Sequence, residues 1–231
     1  MKRFWTTATP HPQDGQYQVR LDQRPVKLPS GAPLSVPQLR LATAIAQEWG
    51  VAGQTFSPHD LPLTQFVCTA QERVAPQRAE IIRQLVAYGL NDLLCYRAGD
   101  PPSLHARQCA AWDPWLDWME ATYEIRLTTT VGLMPITQPP HTAAKLQAVL
   151  ERRSNDQIAA LGVLIPALGS FVLGLATADN QLGPAPACEI ATLDERWQAE
   201  KWGDDPHDIA KRQTVQREVA QATLFLGLLF P

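Results

Sequence analysis

The chain carries almost none of the local signatures that reveal a reaction. Its 231 residues contain no GxxxxGK[ST], GxGxxG, GxSxG or HExxH. Phosphate-cradling loops, dinucleotide sites, hydrolase elbows and zincin helices therefore lack local support. Cysteine is scarce: Cys68, Cys95, Cys109 and Cys188 stand far apart, with no CxxC pair and no zinc spacing. Their apolar or small neighbours make them read as reduced core thiols, which fits a reducing compartment. No charge dominates, the net being −3, so no nucleic-acid footprint is expected. Repeats and low-complexity tracts are absent. The segment MKRFWTTATPHP has neither the apolar core of a signal peptide nor Arg/Ser-rich transit character. Structure is expected to begin almost at Met1. That favours a bacterial cytoplasmic protein, or a mitochondrial-matrix one with its presequence removed.

A composition of 45% hydrophobic and 19% charged residues is that of a globular chain. One long apolar run exists. Ile158 to Ala178 holds no charge and is long enough to cross a bilayer. Against a membrane span stand Pro166, its glycines, and a capping-box pattern at Ser154-Asn155-Asp156-Gln157. The favoured reading is a buried helix pair divided at Pro166, with no stable membrane insertion.

The first third reads as β. Tyr17, Val19 and Leu21 alternate with polar residues, and Val26 and Leu28 alternate again after a turn at Asp22-Gln23. Phe4 to Ala8 is a further candidate strand. From Pro37 the period changes. Leu41, Ile45 and Trp49 form a helical stripe that assigns Trp49 a structural role, with Pro37 at the helix start and Gly50 at its end. Beyond Gly53 and Pro58 the signals are helical nearly throughout: 63–74 up to Pro76, 79–90, 104–123, 141–152, the apolar pair, 187–201 and 206–229. Asp205-Pro206 reads as an N-cap followed by proline at the first helical position. The class is α+β, with a β-rich N-terminal domain at 1–57 and a helical domain at 58–231.

Two Pro-His-Asp tripeptides, at 58–60 and 206–208, could supply a metal site with His105. That would make a helical metal-dependent phosphohydrolase, the alternative function. Both tripeptides sit at expected helix starts, where capping explains them, so no metal, cofactor or small-molecule substrate is called for. Trp112, Trp115 and Trp118 line about a third of one helix. Core packing is the first reading of this stripe, with Trp115 structural, and an aromatic binding surface is the second.

The segment TLDERWQAEKWGDD places Trp197 and Trp202 among charged side chains. On a helix over 187–202, Ile190, Leu193 and Trp197 share the core arc, and Trp197 is structural. Glu195, Ala199 and Trp202 fall opposite, with Gln198 at the edge. An Arg196–Glu200 pair is expected at i, i+4. Either Trp202 turns inward at the helix end, or this face meets a partner.

Five stretches carry a resemblance in order along the chain: YQVRLDQRPVKLPSGAPLSVPQLRLATAIAQEW, NDLLCYRA, WDPWLDWM, LGSFVLGLA and LDERWQAEKWGDD. Together they resemble the F1-ATPase assembly chaperones of mitochondria and alpha-proteobacteria, which bind the isolated alpha subunit. The family's pattern has Asp-Gly and Thr-Pro where this chain has Asp22-Gln23 and Leu28-Pro29. The resemblance implies a non-enzyme, with a small β-rich domain and a larger orthogonal helical bundle. It implies a chaperone that shields the unassembled alpha subunit from aggregation before it meets beta. It makes the acidic position of LDE the candidate for client recognition. Glu195 is preferred over Asp194, which lies nearer the core arc, and Gln198 and Trp202 complete the expected partner-binding set.

Overall fold

The computed structural model describes residues 1–132 and 134–230. The architecture is α+β: a small sheet near the N-terminus, then helices. Backbone proximity groups the chain into two units. The first comprises Met1–Arg78, Asn155–Ala160 and Leu224–Pro231. The second comprises Ala79–Ser154 and Leu161–Thr223. The expected division at 57/58 falls at the start of a short 3-10 turn, Pro58–Asp60. The first compact unit runs on to Arg78.

In the first unit, β2 (Gln16–Leu21) is central. It pairs antiparallel with β1 (Ala8–Gln13), β3 (Arg24–Pro25) and β4 (Ser35–Val36). The β1–β2 turn is Asp14-Gly15, with φ of 50° and 75°, the positive values that a two-residue hairpin demands. The strand therefore begins at Ala8, and Phe4–Ala8 is not one. Pro10 and Pro12 conceal β1 in the sequence. An edge strand tolerates them because alternate nitrogens face away from the ladder. At the second turn Asp22 takes φ 53°. Its carboxylate accepts from the Thr6 and Thr7 amides, which hold it below the usual carboxylate range.

Helix α1 (Leu39–Val51) buries the expected stripe of Leu41, Ile45 and Trp49. It starts two residues after Pro37 and carries Gly50 inside its last turn. Trp49 is 9% exposed. Its ring meets Trp5 and Phe56 edge to face, and its Nε1 donates to Thr64 Oγ1 at 2.9 Å. Helix α2 (Pro62–Cys68) continues through a π-helical stretch, Thr69–Val74, into α3 (Ala75–Leu90). Pro76 does not end the helix; it only bends it, at Gln77. Phe66 stacks on Phe225 at 4.8 Å.

The second unit holds α3 from Ala79 on and the remaining helices: α4 (Pro102–Tyr123), α5 (Thr142–Glu151), α6 (Asn155–Leu168, from Leu161 on), α7 (Phe171–Ala178), α8 (Pro184–Ala191), α9 (Leu193–Trp202) and most of α10 (Pro206–Leu229). It is not wholly helical, because β5 (Tyr96–Arg97) and β6 (Thr130–Val131) pair in parallel. The apolar run does divide into two helices, but not at Pro166, which lies inside α6. The break is at Gly169-Ser170, where the Ser170 hydroxyl caps α7 by accepting from Leu173 N. Among the described residues no helix is long and apolar enough to cross a membrane.

Asp92 is fully buried in this unit. Its carboxylate accepts from Leu94 N, Val172 N and Ser170 Oγ at 3.0, 3.0 and 2.8 Å. Trp112 is core, at 1% exposed, and its Nε1 donates to the Ile190 carbonyl. Trp115 and Trp118 are only half-buried and meet edge to face. The cysteines are all free. Cys95 and Cys188 are buried, whereas Cys68 and Cys109 are half-exposed. Burial pushes the Cys95 thiol up to about 12 and the Cys68 and Cys188 thiols up to about 11, which suppresses thiolate chemistry.

Candidate partner-binding surface

The expected single helix over 187–202 is two. Thr192, with φ −101° and ψ 21°, separates α8 from α9, and its hydroxyl donates back to the Cys188 carbonyl at 2.7 Å. The break rotates the two segments out of one wheel, so Ile190 is half-buried rather than core. Helix α9 opens with Asp194 and Glu195 in its first turn, where the helix dipole favours anions. It ends at Gly203, whose amide donates to the Ala199 carbonyl. After Asp204, the Asp205 carboxylate accepts from His207 N at 2.7 Å. It thereby caps α10, with Pro206 as its first residue.

This α9–α10 hairpin arranges the partner-binding candidates. Glu195, Gln198 and Trp202 line one open hollow of about 390 Å³, together with Ala199, Gly203 and Asp208. Trp202 is 76% exposed; it does not turn inward. Trp197, half-buried, meets its ring edge to face at 6.0 Å and carries the Lys201 ammonium 5.7 Å above its own ring. Glu195 accepts from Lys211 Nζ at 2.9 Å, and this carboxylate pushes the lysine's pKa upward. Both partners are largely in water, where such pairs contribute little to stability. Glu195 also borders a second hollow of about 280 Å³, whose lining includes Leu93, Leu168 and Val215.

Asp194 is set apart from that face. It accepts from Gln108 Nε2 at 2.8 Å. Gln108 is itself 1% exposed and accepts from Ala98 N. Asp194 thus anchors α9 to α4. The Arg196–Glu200 pair does not form. Arg196 approaches Glu189 at 3.8 Å, and Glu200 takes both guanidinium nitrogens of Arg107 at 2.7 and 2.9 Å, which lowers its pKa. Sequence reading missed Asp208 as part of this face, Lys211 as the partner of Glu195 and Arg107 as the partner of Glu200. Their pairings join separate helices, and no helical period links them.

The residues weighed for a metal have other tasks. The Asp60 carboxylate closes a capping box with Ser57, His105 Nδ1 bonds the Ala98 carbonyl at 2.9 Å, and Asp208 lines the hollow. Among the described residues, no three His, Cys, Asp or Glu side chains come together as a metal site.

An exposed indole among charged side chains marks the α9–α10 hairpin. The family model described as ATP12 chaperone protein matches residues 2–120. Protein atp12, mitochondrial, of Schizosaccharomyces pombe is 24% identical over 237 residues, spanning 96% of this chain and 81% of that one. The crystal structure of Atp12 from Paracoccus denitrificans is 34% identical, covers 99% of this chain and 98% of its own, and superposes with a TM-score of 0.94. The Atu1473 protein of Agrobacterium tumefaciens is 32% identical, covers 97% and 84%, and superposes at 0.90. The chain belongs to the ATP12 family of F1-ATPase assembly chaperones.

Proposed function

We propose that this protein is a non-catalytic chaperone of F1 assembly whose client is the unassembled alpha subunit, held through the α9 face until it pairs with beta. Family membership supports the assembly role. The observation that carries the choice of face is Trp202, 76% exposed beside Glu195 and Gln198. A surface indole is costly to leave wet, and aromatic anchors are enriched where proteins dock. The proposed compartment is the bacterial cytoplasm, or the mitochondrial matrix in a eukaryote.

The test is capture of isolated alpha subunit, with assembled F1 as the control and light scattering of alpha as the readout of aggregation. Wild type should retain alpha, keep it from scattering, and ignore assembled F1. Glu195→Lys should melt within about 0.5 kcal/mol of wild type, as exposed charge changes usually do. It should also weaken alpha binding about thirtyfold or more, because a reversed charge in a desolvated contact costs about 2–5 kcal/mol. Equal retention of alpha by wild type and this variant would remove Glu195 from the client surface. Failure of wild type to retain alpha would remove the client.

A further inference from the structure

The hollow at the α9–α10 hairpin has a chemistry that selects among client side chains. Its lining consists of Glu195, Gln198, Ala199, Trp202, Gly203 and Asp208. Two carboxylates, an amide and an indole therefore surround it, with no cationic residue in the lining. Asp208 accepts no hydrogen bond and joins no ion pair among the described residues. Among the described residues Glu195 is held by Lys211 alone, in a pair whose side chains are 40% and 58% exposed, so an incoming cation can exchange for the lysine. The Trp202 ring is braced at one side by Trp197 and open elsewhere.

An aliphatic occupant would strip water from the Asp208 carboxylate without pairing it, which is unfavourable. An acidic one would be repelled. A cation meets both the electron-rich indole face and the carboxylates. A guanidinium does so best, because it is planar, stacks on aromatic rings, and forks onto a carboxylate. We propose that this hollow receives a basic side chain of the client, arginine by preference, stacked on Trp202 and paired with Asp208 and Glu195. The assignment rests on the α9 face being the client surface. It adds which client side chain is read there.

The test uses two small probes, N-acetyl-arginine amide and its neutral isostere N-acetyl-citrulline amide. The readout is the Trp202 indole N–H resonance, assigned by its loss in Trp202→Phe. The arginine probe should shift that resonance saturably and the citrulline probe should not. Asp208→Asn should abolish the arginine effect while leaving the rest of the spectrum in place. Equal shifts from both probes, or none from either, would overturn the proposal. With the client itself, Trp202→Leu should weaken alpha capture about tenfold at an unchanged melting temperature. Trp202→Phe should keep most of the affinity, and the arginine probe should compete where citrulline does not. Capture of alpha that is indifferent to Trp202→Leu and Asp208→Asn would sink the arginine reading and leave the client reading standing. Absence of capture by wild type would sink the client reading, and the two-probe difference would still decide the chemistry of the hollow.

Discussion

Asp92 places a carboxylate in the interior of the helical unit, where an ionised group is tolerated only with full hydrogen bonding. Leu94 N, Val172 N and Ser170 Oγ supply that bonding. Asp92→Ala leaves three buried donors without an acceptor and should cost about 3 kcal/mol or more, read from the urea midpoint. Burial outweighs those bonds and pushes Asp92 up from 3.8 to about 6. In the window between the two values the native state binds a proton that the unfolded chain does not. This group's contribution to stability therefore rises as pH falls from about 6 towards 4, and falls again as pH is raised. Asp92→Asn should remove that slope, so the stability difference between wild type and variant should change between pH 7 and pH 5. A constant difference would mean that Asp92 does not titrate there. No local pattern marks Asp92 in the sequence, because two of its three donors lie about 80 positions away. Asp194 and Glu195 are neighbours in sequence with opposite surroundings. Asp194→Lys should cost about 1–3 kcal/mol, by leaving the Gln108 amide unpaired, and should lower alpha affinity less than Glu195→Lys does.

Among elements, the α9–α10 hairpin depends most on one backbone conformation. Gly203 sits at φ 88°, ψ 162°, a region that only glycine occupies readily. Gly203→Ala should strain the connection by about 1–3 kcal/mol, because a Cβ there meets open space and only the backbone objects. Its expected effect is a lowered melting temperature, with alpha affinity reduced by displacement of Trp202 and Asp208. The start of α10 was legible from Asp205-Pro206. The break at Thr192 was not. A wheel drawn across it put Ile190 with Leu193 and Trp197, and the chain turns between them. The edge strand Ala8–Gln13 was hidden for a different reason: its prolines forbid a central strand but not an outer one.

For the molecule as a whole, the aromatic knot of Trp5, Trp49 and Phe56 joins the N-terminal segment to α1 and to the chain that follows it. Trp5 Nε1 donates to the Trp49 carbonyl at 3.2 Å, while Thr64 and Glu48 extend the network. Trp49→Ala should cost about 3–5 kcal/mol, a large share of a domain's stability. Trp49→Arg should cost more, by burying an unpaired charge, and should show as loss of folded protein on expression. A Trp49→Arg protein that melts like wild type would displace Trp49 from this core. The chain should also be recovered without detergent. The apolar stretch 158–178 is interrupted at Gly169-Ser170, and recovery confined to washed membranes would contradict that expectation.

Local chemistry alone determined the α+β class, the α1 stripe ending at Trp49, the cap of α10 and the order of motifs that marks the family. Each depends on residues a few positions apart, where periodicity, capping and turn preference act. The sequence also set the question at Trp202 by placing an indole among charges. Only the tertiary structure decided the answer. The end of α9 leaves that ring 76% in water, and α10 folds back to bring Asp208 to the hollow and Lys211 to Glu195. The same holds for Glu200, which left its expected partner for Arg107, 93 positions away. Burial and ion pairing depend on distance in space, and a chain that turns between two helices resets those distances without changing the local pattern of either.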